Sequence, residues 1–137
     1  MKRTVPGLNI QHPWSDLIAI GKKTIETRSY PLPKKFENVE LAIIETPGRL
    51  GKKLGIKKAR IVGTVIFSGC IQYKTKKHWL KDQSRHLINS ADLQYAFSNK
   101  KPKWGWFIAR TKKFEDTVAA PSRRGIIYAS SCAIPGS

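Results

Sequence analysis

The stretch Gln11-His12-Pro13-Trp14-Ser15-Asp16-Leu17-Ile18-Ala19-Ile20-Gly21-Lys22-Lys23-Thr24-Ile25-Glu26-Thr27-Arg28 changes its periodicity part-way along. Pro13 suits the first turn of a helix, where its missing N–H costs nothing. Trp14, Leu17, Ile18 and Gly21 follow helical spacing, and Gly21 is a natural C-terminal stop. From Thr24 to Tyr30 the residues are β-rich and alternate. Thr24, Glu26, Arg28 and Tyr30 fall on one face, and Ile25, Thr27 and Ser29 on the other. Pro31 and Pro33 end the strand. The reversal thus carries Lys23, Glu26 and Arg28 within six residues. They are read either as the wall of a polar pocket or as a plain Glu26–Arg28 ion pair with Lys23 a solvated strand end. In a pocket, desolvation and the Arg28 charge would lower the Lys23 ammonium pKa, the usual way a lysine becomes a base or nucleophile.

Working outward, Leu8 to Gln11 reads as a first short strand. Val39 to Thr46 is another, with Leu41-Ala42-Ile43-Ile44 apolar enough to be buried on both faces. Ile61 to Tyr73 is a longer strand whose Gly63 and Gly69 permit bends. From Thr75 to Asn99 the period of two is lost. Two short helices are expected there, one around Trp79 to Ile88 and one over Leu93 to Phe97, the second capped by Ser90. Trp104 to Phe114 and Gly125 to Ser130 return to strand. The order β-α-β-β-β-α-α-β-β predicts an α+β fold, a small β-barrel flanked by short helices. No repeat or internal boundary divides residues 1–137, which read as a single domain.

Twenty-six Lys and Arg against nine Asp and Glu give a formal charge of +17 and a pI near 10.2. Such an imbalance repels itself in a compact state, so a polyanionic partner, nucleic acid, is its simplest explanation. The candidate contacts are Lys52, Lys53, Lys57, Lys58, Arg60, Lys74, Lys76, Lys77, Lys101, Lys103, Arg123 and Arg124. Five cations fall in the glycine-rich segment Pro47 to Lys58, which reads as a long loop. That segment lacks the G-x-x-x-x-G-K-[ST] arrangement of a nucleotide P-loop. Trp14, Trp104, Trp106 and Tyr30 could stack a base. Trp14 is expected in the core, while Trp104, beside Lys101 and Lys103, is placed at the pocket. His12 is expected to cap the helix that begins at Pro13.

Cys70 and Cys132 are too few for a disulfide framework, and neither has a short-range zinc partner. His12, His78 and His86 show no i, i+4 pair, so neither a metal site nor a cofactor is expected. No run of about 18 apolar residues is present, which predicts no membrane span. A cytoplasmic protein with reduced thiols is expected; oligomeric state is not legible.

The Pro13-Trp14 pair, the short helix and the K-x-x-E-x-R spacing of Lys23, Glu26 and Arg28 resemble the N-terminal signature of the ASCH domain, a member of the PUA-like superfamily. Arg60-Ile61-Val62-Gly63-Thr64-Val65 is similar to that family's central strand, and Trp104-Gly105-Trp106-Phe107-Ile108 to its late aromatic strand. Pro121-Ser122-Arg123-Arg124-Gly125-Ile126-Ile127-Tyr128 resembles its closing segment, with an arginine where the first glycine usually stands. The blocks occur in family order over a motif-bearing core of about residues 8 to 130. His12 stands where many relatives carry glutamine, and Thr27 where many carry asparagine.

The resemblance implies a PUA-like barrel and an RNA-binding module. Lys23, Glu26, Arg28 and Trp104 would form a pocket for a base or modified nucleoside, with the basic residues as a rim for the backbone. It also implies an alternative, a small enzyme using the same pocket. Some bacterial relatives are amidohydrolases acting on N4-acylated cytidine, and the motif lysine that matches Lys23 is catalytic there. The residue three positions on is threonine in that branch and Glu26 here; a carboxylate at that place can act as a general base. Ribonuclease activity is associated with other members. A third reading is an accessory protein whose basic surface meets an acidic protein partner.

Overall fold

The computed structural model describes residues 2–136. The strands are β1 (Lys2–Gln11), β2 (Ile25–Arg28), β3 (Glu40–Thr46), β4 (Arg60–Tyr73), β5 (Lys103–Ala119) and β6 (Tyr128–Pro135). The α-helices are α1 (Trp14–Ala19), α2 (Gly48–Lys53), α3 (Lys76–Lys81) and α4 (Gln83–His86), with a 3-10 turn at Lys34–Phe36. All six strands share one sheet in the order β2-β5-β4-β3-β1-β6. β1 and β3 run parallel, joined by a connection that includes α1, and the other pairs are antiparallel.

The α+β fold is as expected, but the strands form one open sheet: among the described residues β2 and β6 are its two edges, and no ladder joins them into a barrel. Yet the sheet curls. The Arg28 guanidinium of β2 donates through Nη2 to the Asn9 carbonyl of β1 at 2.8 Å, although three strands separate β2 from β1 in the sheet order. A side chain spans the seam that a backbone ladder would otherwise close. β2 has only four residues, and Pro31 and Pro33 follow it. At Gly63, beside a register shift in the β4–β5 pairing, a Cβ would lie 2.1 Å from the Lys112 carbonyl oxygen, so only glycine allows that approach.

β3 is buried on both faces, as its apolar run demands. Leu41 and Ile43 join Leu8, Ile10, Ile18, Phe67 and Trp106 on the concave side. Ala42 and Ile44 pack with Ile61, Ala129, Cys132 and Ile134 on the other. A third cluster of Tyr73, Trp79 and Ile88 anchors the segment between β4 and β5.

α1 ends in a Schellman arrangement. Gly21 at φ +83° donates to the Ile18 carbonyl at 3.0 Å, and Lys22 donates to that of Leu17 at 3.0 Å. His12 does not cap this helix; its ring meets Glu45 instead. The Pro47–Lys58 loop contains α2, in which Gly51 N–H donates to the Pro47 carbonyl at 2.8 Å and Leu54 N–H to that of Leu50 at 3.1 Å. The helix expected over Leu93 to Phe97 is a set of turns. The turn is started by Asp92 rather than by Ser90: Asp92 Oδ1 accepts from the backbone N–H groups of Gln94 and Tyr95 at 2.8 and 2.7 Å in the manner of an N-cap, and its carbonyl accepts from Ala96 N–H at 3.2 Å, but the turn does not continue into a helix. The last strand begins at Tyr128, three residues later than expected, because Gly125 N–H donates to the Tyr128 carbonyl in a turn. Among the described residues no helix is long and apolar enough to cross a membrane.

Candidate functional site

A cavity of about 260 Å³ opens at the seam between β2 and β1. β2 supplies Glu26, Thr27 and Arg28, β1 supplies Asn9 and Gln11, α1 supplies Trp14, and the junction after Gly21 supplies Lys23. Thr46, Ile88, Tyr95 and Ile126 complete the wall.

Lys23 is 1% exposed, so the solvated strand end is excluded. The helix stop places it there: its backbone N–H still bonds the Leu17 carbonyl at 3.0 Å, which turns the side chain inward. Its ammonium donates to the His86 carbonyl, lies 4.0 Å from Glu26 Oε1, and sits 4.8 Å from the Trp14 ring centre. Burial lowers the Lys23 pKa to about 8, against the Glu26 carboxylate, which raises it, and with smaller help from the Arg28 and Lys103 charges. A buried cation with spare N–H groups, its pKa brought down to about 8, therefore faces the cavity.

Arg28 has no such freedom. Its Nε and Nη2 donate to Glu26 Oε2 at 3.2 and 2.9 Å, and Nη1 to the Tyr30 hydroxyl at 3.1 Å. Its charge is held fast, the pKa raised by Glu26 and Tyr30 in spite of burial. Glu26 keeps one less engaged oxygen, Oε1, which accepts only from Thr27 N–H at 3.2 Å besides facing Lys23. Asn9 donates through Nδ2 to the Gly125 and Ile126 carbonyls at 2.8 and 2.9 Å, while its buried Oδ1 has no partner among the described residues. The cavity thus presents a cationic donor at Lys23 and an acceptor at Glu26, beside the rings of Trp14 and Tyr95, which meet edge-on at 6.2 Å.

His86, scattered in the sequence, supports Lys23 from behind. It is fully buried and stacked on Trp79 with ring centres 4.4 Å apart. Ile88 N–H donates to Nδ1 at 3.0 Å, so the proton resides on Nε2, which donates to the Trp79 carbonyl at 2.9 Å. Desolvation pushes this imidazole toward neutrality. Leu87 then takes φ 62° to end α4, a backbone that disfavours L side chains, and His86 leaves its carbonyl to Lys23.

Trp104 is not among the cavity-lining residues. It shares a strand face with Trp106 and packs against the main core, opposite Arg28 in the β2–β5 register. Trp14, expected in the core, is half-buried: it packs against the core clusters and also forms part of the cavity wall. The basic residues separate. Lys57, Lys58 and Arg124 line a groove next to the cavity, and Arg123 lines the adjoining depression. Lys52 and Lys53 end α2 in solvent, and Lys77 is exposed on α3. Lys74, Lys76 and Lys101 lie on a separate surface with Phe97. Arg60 donates to Glu45 at 2.9 Å, which commits its Nε to the fold. Lys103 is half-buried, close enough to lower the Lys23 pKa. Asn9, Thr46, Ile88, Tyr95 and Ile126 carry no sequence signal for this site, because they reach it from other elements of the fold. Among the described residues no three His, Cys, Asp or Glu side chains assemble into a metal-holding group.

A one-strand-deep polar seam on a curled mixed sheet defines a class, and sequence comparison gives its family. Residues 8–118 match the ASCH domain, and the chain belongs to that family. Its fold is similar to the ASCH protein of Zymomonas mobilis. A single-residue variant of that protein superposes with a TM-score of 0.67 at 14% identity, covering 91% of this chain and 86% of the other. Another crystal structure of the same protein gives 0.63 at 16% identity, covering 83% of this chain and 72% of that one. No curated protein matches the sequence.

Proposed function

We propose that this ASCH domain is an RNA-binding module whose cavity takes one base or modified nucleoside and whose basic rim takes the backbone. The observation that carries the reading is Lys23. A buried ammonium is expensive to keep, and here it faces a cavity beside an incompletely engaged carboxylate rather than a closed ion-pair network. Lys23 donates to a ring nitrogen or carbonyl, Glu26 Oε1 accepts from an amino group, and Trp14 and Tyr95 give the ring an apolar wall. In this reading the curled sheet is the PUA-like barrel, and its open seam is the binding face. RNA is favoured over DNA by family membership, and the charge of +17 suits either. The test is binding of a short single-stranded RNA, its DNA equivalent and the free nucleosides across a salt series. RNA preference persisting near 150 mM salt, with nucleoside binding lost in Lys23→Ala, is expected. Equal, weak binding that salt abolishes would overturn the proposal.

A second reading is favoured by one observation. With its pKa at about 8, Lys23 has an appreciable neutral fraction near neutral pH and lies 4.0 Å from a carboxylate. That pair suits a small hydrolase, an amidohydrolase on N4-acylated cytidine or a ribonuclease, with Lys23 as base or nucleophile and Glu26 as its proton partner. Turnover of N4-acetylcytidine, or cleaved RNA on a denaturing gel, abolished by Lys23→Ala, would establish it. Intact substrate after prolonged incubation would remove it.

A further inference from the structure

The twelve cations expected at the rim do not form one rim. Thr46 lines both the cavity and the neighbouring groove, so the two adjoin there. That groove runs between the α2–β4 connection and the β5–β6 turn. Its lining combines Lys57, Lys58 and Arg124 with the apolar Pro47, Ala59, Ala120 and Pro121, and no acidic residue lines it. Arg124 spends one Nη1 bond on the Pro121 carbonyl at 3.0 Å and keeps its remaining donors. The Lys74, Lys76 and Lys101 surface shares no lining residue with the cavity.

Ile126 marks the boundary. It is 96% exposed, although it is large and apolar, and it lines the cavity mouth. Its backbone is fixed, since Asn9 Nδ2 bonds the carbonyls of both Gly125 and Ile126. An apolar side chain held in water at the mouth of a ring-sized cavity, two residues after Arg124 of the cationic groove, offers a contact to whatever passes from one to the other.

We propose that the strand flanking the pocketed base leaves across Thr46 and Ile126 and follows this groove, with phosphates on Lys57, Lys58 and Arg124. The Lys74–Lys101 surface lies off the path. The occupant is a single-stranded nucleic acid: a lining that combines cations with apolar residues matches alternating phosphates and sugars, and a duplex would present no free base to the cavity. This assignment rests on the pocket reading above but is tested apart from it.

The full chain is titrated with a mixed-sequence 12-nucleotide single-stranded RNA at a series of salt concentrations, and separately with the four free nucleosides. Each single-strand phosphate contact contributes a slope of about −0.7 in log affinity against log salt. Combining Lys57→Ala, Lys58→Ala and Arg124→Ala should therefore make the slope shallower by about 2, with nucleoside binding unchanged. Combining Lys74→Ala, Lys76→Ala and Lys101→Ala should leave the slope close to that of the unaltered chain. Equal losses from both triple variants, or no loss from the first, would overturn the groove. If no nucleoside binds but the slopes differ as stated, the groove stands and the pocket reading fails.

Discussion

Two buried carboxylates, Glu45 and Glu26, show how differently one fold can use the same chemical group. Glu45, at the end of β3, accepts from Ser15 Oγ at 2.6 Å and Arg60 Nε at 2.9 Å, and meets His12 Nδ1 at 3.1 Å. Those bonds tie β3 to α1, to β4 and to the β1–α1 junction, and they hold the Glu45 pKa below its ordinary value in spite of burial. Glu45 does not line the cavity at the β2–β1 seam, and its partners belong to structure. Glu26 is buried to a similar degree, but one of its oxygens is weakly engaged and its lysine neighbour faces open space. Burial alone therefore does not mark a functional charge; unspent hydrogen-bonding capacity at a cavity does.

The sharpest way to break this contrast is Glu45→Ala. It strands Ser15 and Arg60, and a broken buried pair costs roughly 3–5 kcal/mol. Arg60 is 41% exposed and can rehydrate, so a loss near about 3 kcal/mol is expected in urea unfolding, alongside nucleoside binding unchanged in the folded fraction. Lys23→Met should do the opposite, abolishing binding while leaving neutral-pH stability unchanged or higher, because it removes a desolvated cation.

Proton linkage extends that test. The folded pKa of Lys23 is about 8 and its ordinary value 10.5, so between those pH values the unfolded chain holds more protons. Stability should then rise with pH across that window, the burial penalty being fully present below it. The rise is on the order of 2 kcal/mol, and unfolding at pH 7.5 and 9.5 should show it in the unaltered chain and not in Lys23→Met. An equal rise in both would assign it to other groups.

Tyr95→Ala removes one aromatic wall and should weaken base binding by about 1–2 kcal/mol, with little change in melting, since the residue lies on a turn segment at the cavity edge. The smallest effect expected is Thr75→Ala. Thr75 Oγ1 caps α3 by accepting from His78 N–H at 3.1 Å, a bond exposed to solvent and worth about 1 kcal/mol. Stability should fall by that amount. A loss of nucleoside affinity as well would show that α3 transmits to Lys23 through Trp79 and His86.

Much of the frame was legible locally. The helical spacing from Trp14 and the positive-φ glycine at Gly21 fix α1 and the inward turn that buries Lys23, all within one short segment. The four apolar residues of β3 announced burial on both faces. The alternation of Glu26 and Arg28 placed them together. Other expectations failed where distant partners decided the outcome or a pattern ran out after one turn. The 75–99 segment holds a single Asp92-capped turn where a second helix was expected, Glu45 meets His12 in place of a capping role, and Trp104 packs against the core away from the cavity.

The sequence by itself determined the helix-to-strand reversal, the clustering of Lys23, Glu26 and Arg28, the two-faced burial of β3 and the excess of positive charge, because each depends on residues a few positions apart. Only the tertiary structure decided that Lys23 is desolvated and that its charge answers to His86, 63 residues away. It also decided that Ile126, pinned by Asn9 across 117 positions, stands at the cavity mouth, and which cations adjoin it. The physical reason is that solvent exclusion and hydrogen-bond satisfaction depend on every atom that closes around a group, and here those atoms come from β1, α1, β2, α4 and the β5–β6 turn at once.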